Sequence, residues 1–272
     1  MISAVDRAME ILEALSADPR GATVGELIDR LGIEKSVVSR VLSTLEGQGY
    51  VVRAPQTNLF RLGLRVVGLA LRHLECIGLW EMCMPILQRL SDSTGELTQL
   101  AIADETGLTY VAKAESNQRI RAVSVIGSRS ILHASTAGRV WLASLPETHV
   151  LELVGREGLR KLTPNTIDSF ERLNAELARV RAQGYSVIVE ELIEGASGVG
   201  VPIRSPGSDK VIGVLVLSGP TFRFQREQIE KALSKLFEAA RELGRVLPAL
   251  APSQFHATPD RPRALGVRQR DS

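Results

Sequence analysis

Cysteine is scarce in this chain of 272 residues, where Cys76 and Cys83 are the only two. Two thiols cannot staple a secreted scaffold. They also lack metal-ligand company, so a reducing compartment is expected, and their spacing along one helical stretch reads as packing. No apolar run approaches the roughly 20 residues that span a bilayer. The chain enters an amphipathic helix directly after Met1, with no signal segment. A cytoplasmic protein with no membrane partner is the expectation. An excess of one charge is also missing, because 33 Lys and Arg meet 31 Asp and Glu for a net of +2. That balance alone is too small to argue for nucleic acid. There is no paired-carboxylate motif, no Gly-x-Ser-x-Gly and no His/Cys cluster, so neither an enzyme nor a bound cofactor or metal is expected. Glu190 and Glu191 are adjacent, but alternation along a strand would turn them to opposite faces, against joint acid–base work. No internal repeat is found. The composition, 44% hydrophobic and 24% charged, is that of a globular chain, long enough for one large domain or two smaller ones.

What is present centres on residues 23–61. Val37, Val38, Val41, Leu42 and Leu45 recur on one helical face. The other face carries Lys35, Ser36, Ser39, Arg40 and Ser43, short hydroxyls and cations that reach phosphates and base edges. A shorter helix precedes it, with Thr23 and Glu26 as a capping box and Gly32 as its stop. Helix, glycine turn and helix make a helix-turn-helix. Residues 50–53 and 59–62 then read as strands about a turn at 54–58. This hairpin is the wing of a winged helix, and Arg53 and Arg61 flank its tip. The alternative is a three-helix bundle with a solvated cationic face. Residues 1–61 hold seven basic and eight acidic side chains, whereas 35–61 hold four and one. The cations are therefore local, and affinity for DNA should need more than one copy.

In chain order, a first helix is expected over 4–16, capped by Ser3. Residues 64–81 read as one long helix, apolar on most sides, whose cover would come from a second subunit or from its own chain. Pro85 suits the start of the next helix, which stops at Gly95. Strands follow at 97–103 and 108–114 about a hairpin turn, then a third at 119–126 by alternation. Helices are expected around 140–142, over 147–155 and over 167–183, strands over 185–189, 198–203 and 210–218, and a last helix over 225–247. The fold class is α+β. The domains are a winged helix-turn-helix at 1–62, a linker helix at 63–82, a larger domain at 83–250 and a tail at 251–272. The tail has three prolines and four arginines and reads as disordered.

The stretches AVDRAMEILEAL, GATVGELIDRLGIEKSVVSRVLSTLEGQGYV, FRLGLRVVGLA, IGSRSILHASTAGRVWLASLP, ELARVRAQGYSVIVEE, EGASGVGVPI and VLVLSGP, in this order, resemble the IclR-type bacterial transcriptional regulators over residues 2–247. The resemblance implies a winged helix, a linker helix and a C-terminal effector domain similar to GAF and PAS folds, with an antiparallel sheet. It also implies double-stranded operator DNA and a small-molecule effector as partners, and a homodimer or a pair of dimers. A ligand-responsive regulator of a catabolic operon is the function it implies. The alternatives are a GAF-like small-molecule enzyme and an interaction module that does not bind DNA.

The family's pocket motif, Gly-x-x-x-Pro-Leu-His-Ala-Thr-Ala-x-Gly-Lys, is matched by residues 127–139. His133, Ala134, Ser135, Thr136, Ala137 and Gly138 thereby become pocket-rim candidates, and amides at the start of the following helix suit a carboxylate. His133 reads more as a core histidine that fixes the loop than as a residue that contacts the ligand directly. Ile131 replaces the usual proline, and Ser197-Gly198 stands where Arg-Cys is common. Ile188 stands where an acid is frequent, and Val216 precedes the retained Ser218. A less polar floor with room at Gly198 favours an effector with an apolar or aromatic body over a two- or three-carbon acid. Arg119 or Arg121 could pair with its carboxylate, or both could be solvated.

Overall fold

Three short helices open the chain: α1 (Ala4–Ser16), α2 (Val24–Leu31) and α3 (Lys35–Gly47). The computed structural model describes residues 4–76, 78–122 and 124–247. The expectations for Ser3 and for the tail at 251–272 lie outside these residues. Two units divide the chain, Met1–Ile77 and Gly78–Ser272. In the first, the amide of Thr23 donates to the Glu26 carboxylate at 2.7 Å, and the amide of Glu26 donates to Thr23 Oγ1 at 3.2 Å. Two otherwise unpaired N–H groups at the helix start are met reciprocally. Gly32 ends α2 at φ 64°, where an L side chain is strained, and so turns the chain into α3.

Ile11, Leu15, Leu27, Val38 and Leu42 form the buried core of this unit. Strands β1 (Val51–Arg53) and β2 (Phe60–Leu62) form an antiparallel hairpin. Phe60 also exchanges two backbone hydrogen bonds with Ala22, at 2.8 and 2.9 Å, which ties the hairpin to the α1–α2 turn. Helix α4 (Leu64–Cys76) follows, with Leu64, Val67, Leu69 and Leu71 all exposed. The single helix expected over 64–81 is two. Gly78, at φ 60°, caps a separate helix α5 (Leu79–Thr94), and Pro85 lies inside α5 instead of starting it. A left-handed glycine interrupts the helical path more strongly than the apolar periodicity sustains it.

The second unit is built on five antiparallel strands, β3 (Leu97–Ala103), β4 (Leu108–Ala114), β5 (Ser186–Val189), β6 (Ala196–Arg204) and β7 (Val211–Pro220), in the order β4-β3-β7-β6-β5. Side chains alternate between the faces of a strand. Val214 and Val216 pack with α6 (Thr136–Ala143), α7 (Glu147–Glu157) and α8 (Phe170–Gln183) around Trp141, Leu173 and Leu177. On the other face, Ile203 meets the last helix, α9 (Arg226–Val246), where a Cβ at Gly244 would lie 3.8 Å from the Ile203 side chain. Cys83 is buried in α5, and burial pushes its thiol up to about 12. The result is an α+β unit whose antiparallel sheet carries helices on both faces.

The strand expected at 119–126 does not form. Residues 119–122 and 124–126 are irregular, and Val123 lies outside the described residues. The chain instead rejoins the sheet edge at Arg129, which bridges Thr109. Side chains from the sheet hold the loop where a backbone ladder was expected: Gln99 Nε2 donates to Ser124 Oγ at 2.7 Å, and Lys113 Nζ donates to the Ser124 carbonyl at 2.9 Å. Among the described residues no helix is long and apolar enough to cross a membrane, and no group of His, Cys, Asp or Glu side chains could hold a metal ion.

Candidate nucleic-acid interface and ligand cavity

Lys35, Ser36, Ser39, Arg40 and Ser43 are all exposed on one side of α3, while Val38 and Leu42 on the other side are buried. The amphipathic face of α3 is thus fixed by its core, and the polar residues have nowhere to go but solvent. Ser36 donates to Glu34 at 2.7 Å, so its hydroxyl is already engaged at the helix start. Arg40 is exposed and makes no ion pair or side-chain hydrogen bond among the described residues. The two hairpin arginines are partly committed. Arg53 donates to Asn58 Oδ1 at 2.7 Å and lies over the Phe60 ring at 5.6 Å. Arg61 Nε donates to the Arg20 carbonyl at 2.8 Å. Arg53 is held within the hairpin and Arg61 against the α1–α2 turn, and each keeps N–H donors that these bonds do not use. Arg65 was not singled out from the sequence. It stacks over Tyr50 at 5.3 Å and donates to the Gln48 carbonyl at 2.8 Å, closing the end of α3.

A cavity of about 260 Å³ opens in the second unit. Its floor runs across the sheet through Ile188, Gly198, Ser218, Val216, Gln99 and Tyr110. Its far wall is the start of α6, with Ser135 and Thr136, and its cover comes from loops that include Ser124, Val125, Leu192 and Ile193. Six of the expected effector residues therefore meet in one place: Ser135, Thr136, Ile188, Gly198, Val216 and Ser218. The room expected over Gly198 is shared, because a Cβ there would lie 3.7 Å from the Thr136 methyl group.

Arg119, Arg121, His133, Ala137 and Gly138 do not line the cavity. Arg121 is exposed and pairs with Glu115 at 3.3 Å, and Arg119 is exposed on the irregular loop. His133 is buried, and its Nε2 donates to the Arg160 carbonyl at 3.0 Å, so the ring fixes the preceding loop. Gly138 is a packing glycine, since a Cβ would overlap the Leu132 carbonyl. Ser135 Oγ accepts from the Gly138 amide at 2.9 Å and meets Ser130 Oγ at 2.6 Å. Burial pushes the Tyr110 phenol up, offset in part by the Ser130 and Ser135 hydroxyls beside it. Burial likewise pushes the Glu157 carboxyl up, opposed by the Leu132 amide that donates to it at 3.0 Å.

Sequence reasoning missed Arg139, the bulkiest of the fully buried side chains described. It forms a two-pronged ion pair with Glu191: Nη1 donates to one carboxylate oxygen at 3.0 Å and Nη2 to the other, while Nε donates to the His133 carbonyl at 2.8 Å. Glu191 lies just beyond β5, after Glu190 at φ 56°, so the strand alternation assumed for the two acids does not apply. Thr163 and Thr166 hydroxyls donate to the Glu190 and Glu191 carbonyls at 2.7 and 2.6 Å. The pair thus pins the loop carrying Leu192 and Ile193 to the first turn of α6. A lone arginine among the small and apolar residues of 132–143 was the available signal.

Comparison with known proteins bears on both sites. The model described as "IclR helix-turn-helix domain" matches residues 4–55, and "Bacterial transcriptional regulator IclR C-terminal" matches residues 71–245. The HTH-type transcriptional regulator BhcR of Paracoccus denitrificans is 32% identical over 242 residues, covering 89% of this chain and 86% of BhcR. Among solved structures, an IclR-type transcriptional regulator from Alicyclobacillus acidocaldarius superposes with a TM-score of 0.78 at 28% identity, over 90% of this chain and 99% of that one. An IclR homolog from Microbacterium hydrocarbonoxydans, complexed with 4-hydroxybenzoate, gives a TM-score of 0.74 at 27% identity, over 91% and 100%. The relatives are named as transcriptional regulators, not as enzymes.

Removing one partner of a buried pair leaves the other charge uncompensated. Glu191→Ala should therefore lower the unfolding free energy of the second unit by about 3–5 kcal/mol. Glu191→Gln, which keeps a hydrogen-bonding group opposite Arg139, should lower it less. Urea unfolding of both variants is the measurement, and equal small losses would remove Arg139–Glu191 from the structure's support.

Proposed function

The chain belongs to the IclR family of bacterial transcriptional regulators, and from that premise we propose that it senses a small carboxylic acid with an apolar, ring-sized body and controls a catabolic operon through it. As a family member it binds DNA through its helix-turn-helix domain and an effector through its C-terminal domain. The observation that carries the effector class is the cavity itself. Its walls include Ile131, Ile188, Ile193 and Val216, and the start of α6 borders it. The Ser135 side chain takes the Gly138 amide, which leaves the amide of Thr136, a residue that lines the cavity, at the positive end of the helix for an anion. The arginine that lines the cavity, Arg129, donates to Thr106 Oγ1 at 3.0 Å. The helix start, not a guanidinium, is then the natural seat for the carboxylate. A relative complexed with 4-hydroxybenzoate supports an acid of this size and shape.

The effector acts by binding one arrangement of the protein better than another, and so changes operator affinity. Arg40, exposed and uncommitted, reads a base edge; Lys35, Ser36, Ser39 and Ser43 flank it, and Arg53 and Arg61 hold phosphates. Helix α4, with Leu64, Val67 and Leu71 exposed at 84, 47 and 57%, forms the surface of a homodimer. Half-sites then lie about 10 base pairs or a multiple apart. The protein works in the cytoplasm.

Calorimetric titration of the full chain with benzoates and with acetate, pyruvate and glyoxylate tests the effector class. Heat from the benzoates, together with a shifted operator affinity in a gel-shift assay, is expected; heat from the short acids alone would refute the apolar-cavity reading. Arg40→Ala should cost about 1–3 kcal/mol of operator binding and relax specificity at one position per half-site, whereas Arg53→Ala should weaken all sequences and flatten the salt dependence by about one ion. Uniform losses from both would remove Arg40 from base readout. Leu71→Glu should give folded monomers in sedimentation, and an unchanged sedimentation coefficient would exclude α4 from the interface.

A further inference from the structure

Gln99 is a buried polar residue on an otherwise apolar stretch of the cavity floor. It sits on β3, 6% exposed, between Leu97 and Ala101 on the same face, and Val216 is its partner on β7. Its amide joins two other lining residues. The Ser218 hydroxyl donates to Gln99 Oε1 at 3.3 Å, and Gln99 Nε2 donates to Ser124 Oγ at 2.7 Å. A carboxamide has two N–H donors and two acceptor sites. These bonds use one of each, so one donor and one acceptor have no side-chain partner among the described residues. An unpaired amide group out of water costs free energy that a ligand can recover. Turned over, the amide makes the same two contacts, since each serine hydroxyl both donates and accepts. The group that best completes it is therefore one that also does both.

The placement sets the distance from the anion seat. Thr136, at the start of α6, lies against β6, where its atoms come 3.7 and 3.1 Å from Cβ positions built at Gly198 and Gly200. Gln99 is on β3, two strands away in the order β3-β7-β6, or about 10 Å at about 4.8 Å per strand. A six-membered ring with a polar substituent at each end bridges a gap of that order through hydrogen bonds set at an angle to its long axis. We propose that Gln99, with Ser124 and Ser218, selects effectors that carry a hydroxyl on the ring opposite the carboxylate. This rests on the reading of the cavity as a site for ring-bodied carboxylic acids and names the member of that class.

The test is calorimetric titration of the full-length protein with three probes: benzoate, 4-hydroxybenzoate and 4-methylbenzoate, the last having a methyl group in place of the hydroxyl. The wild type should bind the hydroxyl compound about tenfold or more tighter than the methyl compound, the worth of roughly one net hydrogen bond. In Gln99→Met, which keeps the side chain's length and removes the amide, the preference should fall to about unity or reverse. Ser124→Ala, on the covering loop, should reduce the preference to an intermediate ratio and serves if Gln99→Met does not fold. Equal wild-type affinity for the two para-substituted acids would overturn the proposal, as would an undiminished preference in both variants. Binding of all three probes without discrimination would leave the carboxylic-acid reading standing while removing Gln99 as selector. No binding by any of the three would overturn the carboxylic-acid reading itself, and the proposal with it.

Discussion

A charged guanidinium is buried in the second unit only because Glu191 meets it with both carboxylate oxygens. Arg139 is 1% exposed, and its third contact is the carbonyl of His133. Desolvating such a pair is expensive, so it is a poor source of stability by itself. Its consequence is geometric. It joins the first turn of α6 to the loop after β5, two segments 52 residues apart. Those segments form adjacent walls of the cavity. Gly138 against the Leu132 carbonyl, and Ser135 as the cap of α6, hold the same turn from its other sides. The place where helix amides meet the cavity is therefore over-determined, which is the preorganisation that the proposed anion seat would need.

A second buried pair treats the other covering loop in the same way. Glu96 is 4% exposed and accepts two bonds from Arg223, at 2.6 and 2.9 Å, while Arg223 Nη1 donates to the Ile120 carbonyl at 2.8 Å. Gln99 and Lys113 reach up to Ser124 in the same loop. Segments with little regular structure are thus tied to the sheet by side chains. A ligand that engages Gln99 or α6 contacts groups that already hold the cover in place. Differential contact with such groups is the physical basis for coupling ligand binding to conformation.

The N-terminal unit obeys a different economy. Its core is small, and hydrophobic burial there orients α3 so that cations and hydroxyls face solvent together. With seven basic and eight acidic residues over 1–61, charge alone would not hold it on a duplex. The contacts proposed above, the local cluster on α3 and the hairpin repeated in a second copy, would supply what the net charge does not. The exposed apolar stripe of α4 is consistent with that need, because an apolar helical face of this kind marks an interaction surface.

The amino-acid sequence by itself determined the features set by short-range rules. The capping box of Thr23 and Glu26 and the stop at Gly32 follow from three- and four-residue spacings, and strands β3 and β4 from two short runs about a turn at 104–107. The inner and outer faces of α3 follow from a 3.6-residue period. The resemblance to the family's motifs, not any local rule, pointed to Ser135, Thr136, Gly198 and Ser218, which line one cavity, and equally to Arg119, Arg121, His133, Ala137 and Gly138, which do not. Tertiary structure decided the rest. Alternation over 119–126 looked like a strand, but those residues found side-chain partners instead of a ladder. Apolar residues over 64–81 looked continuous, but Gly78 adopts a left-handed conformation that no periodicity reveals. Arg139 and Gln99 have partners 52 and 119 residues away. A hydrogen bond across that separation leaves no local pattern in the chain, since only the folded sheet and helices bring its two ends together.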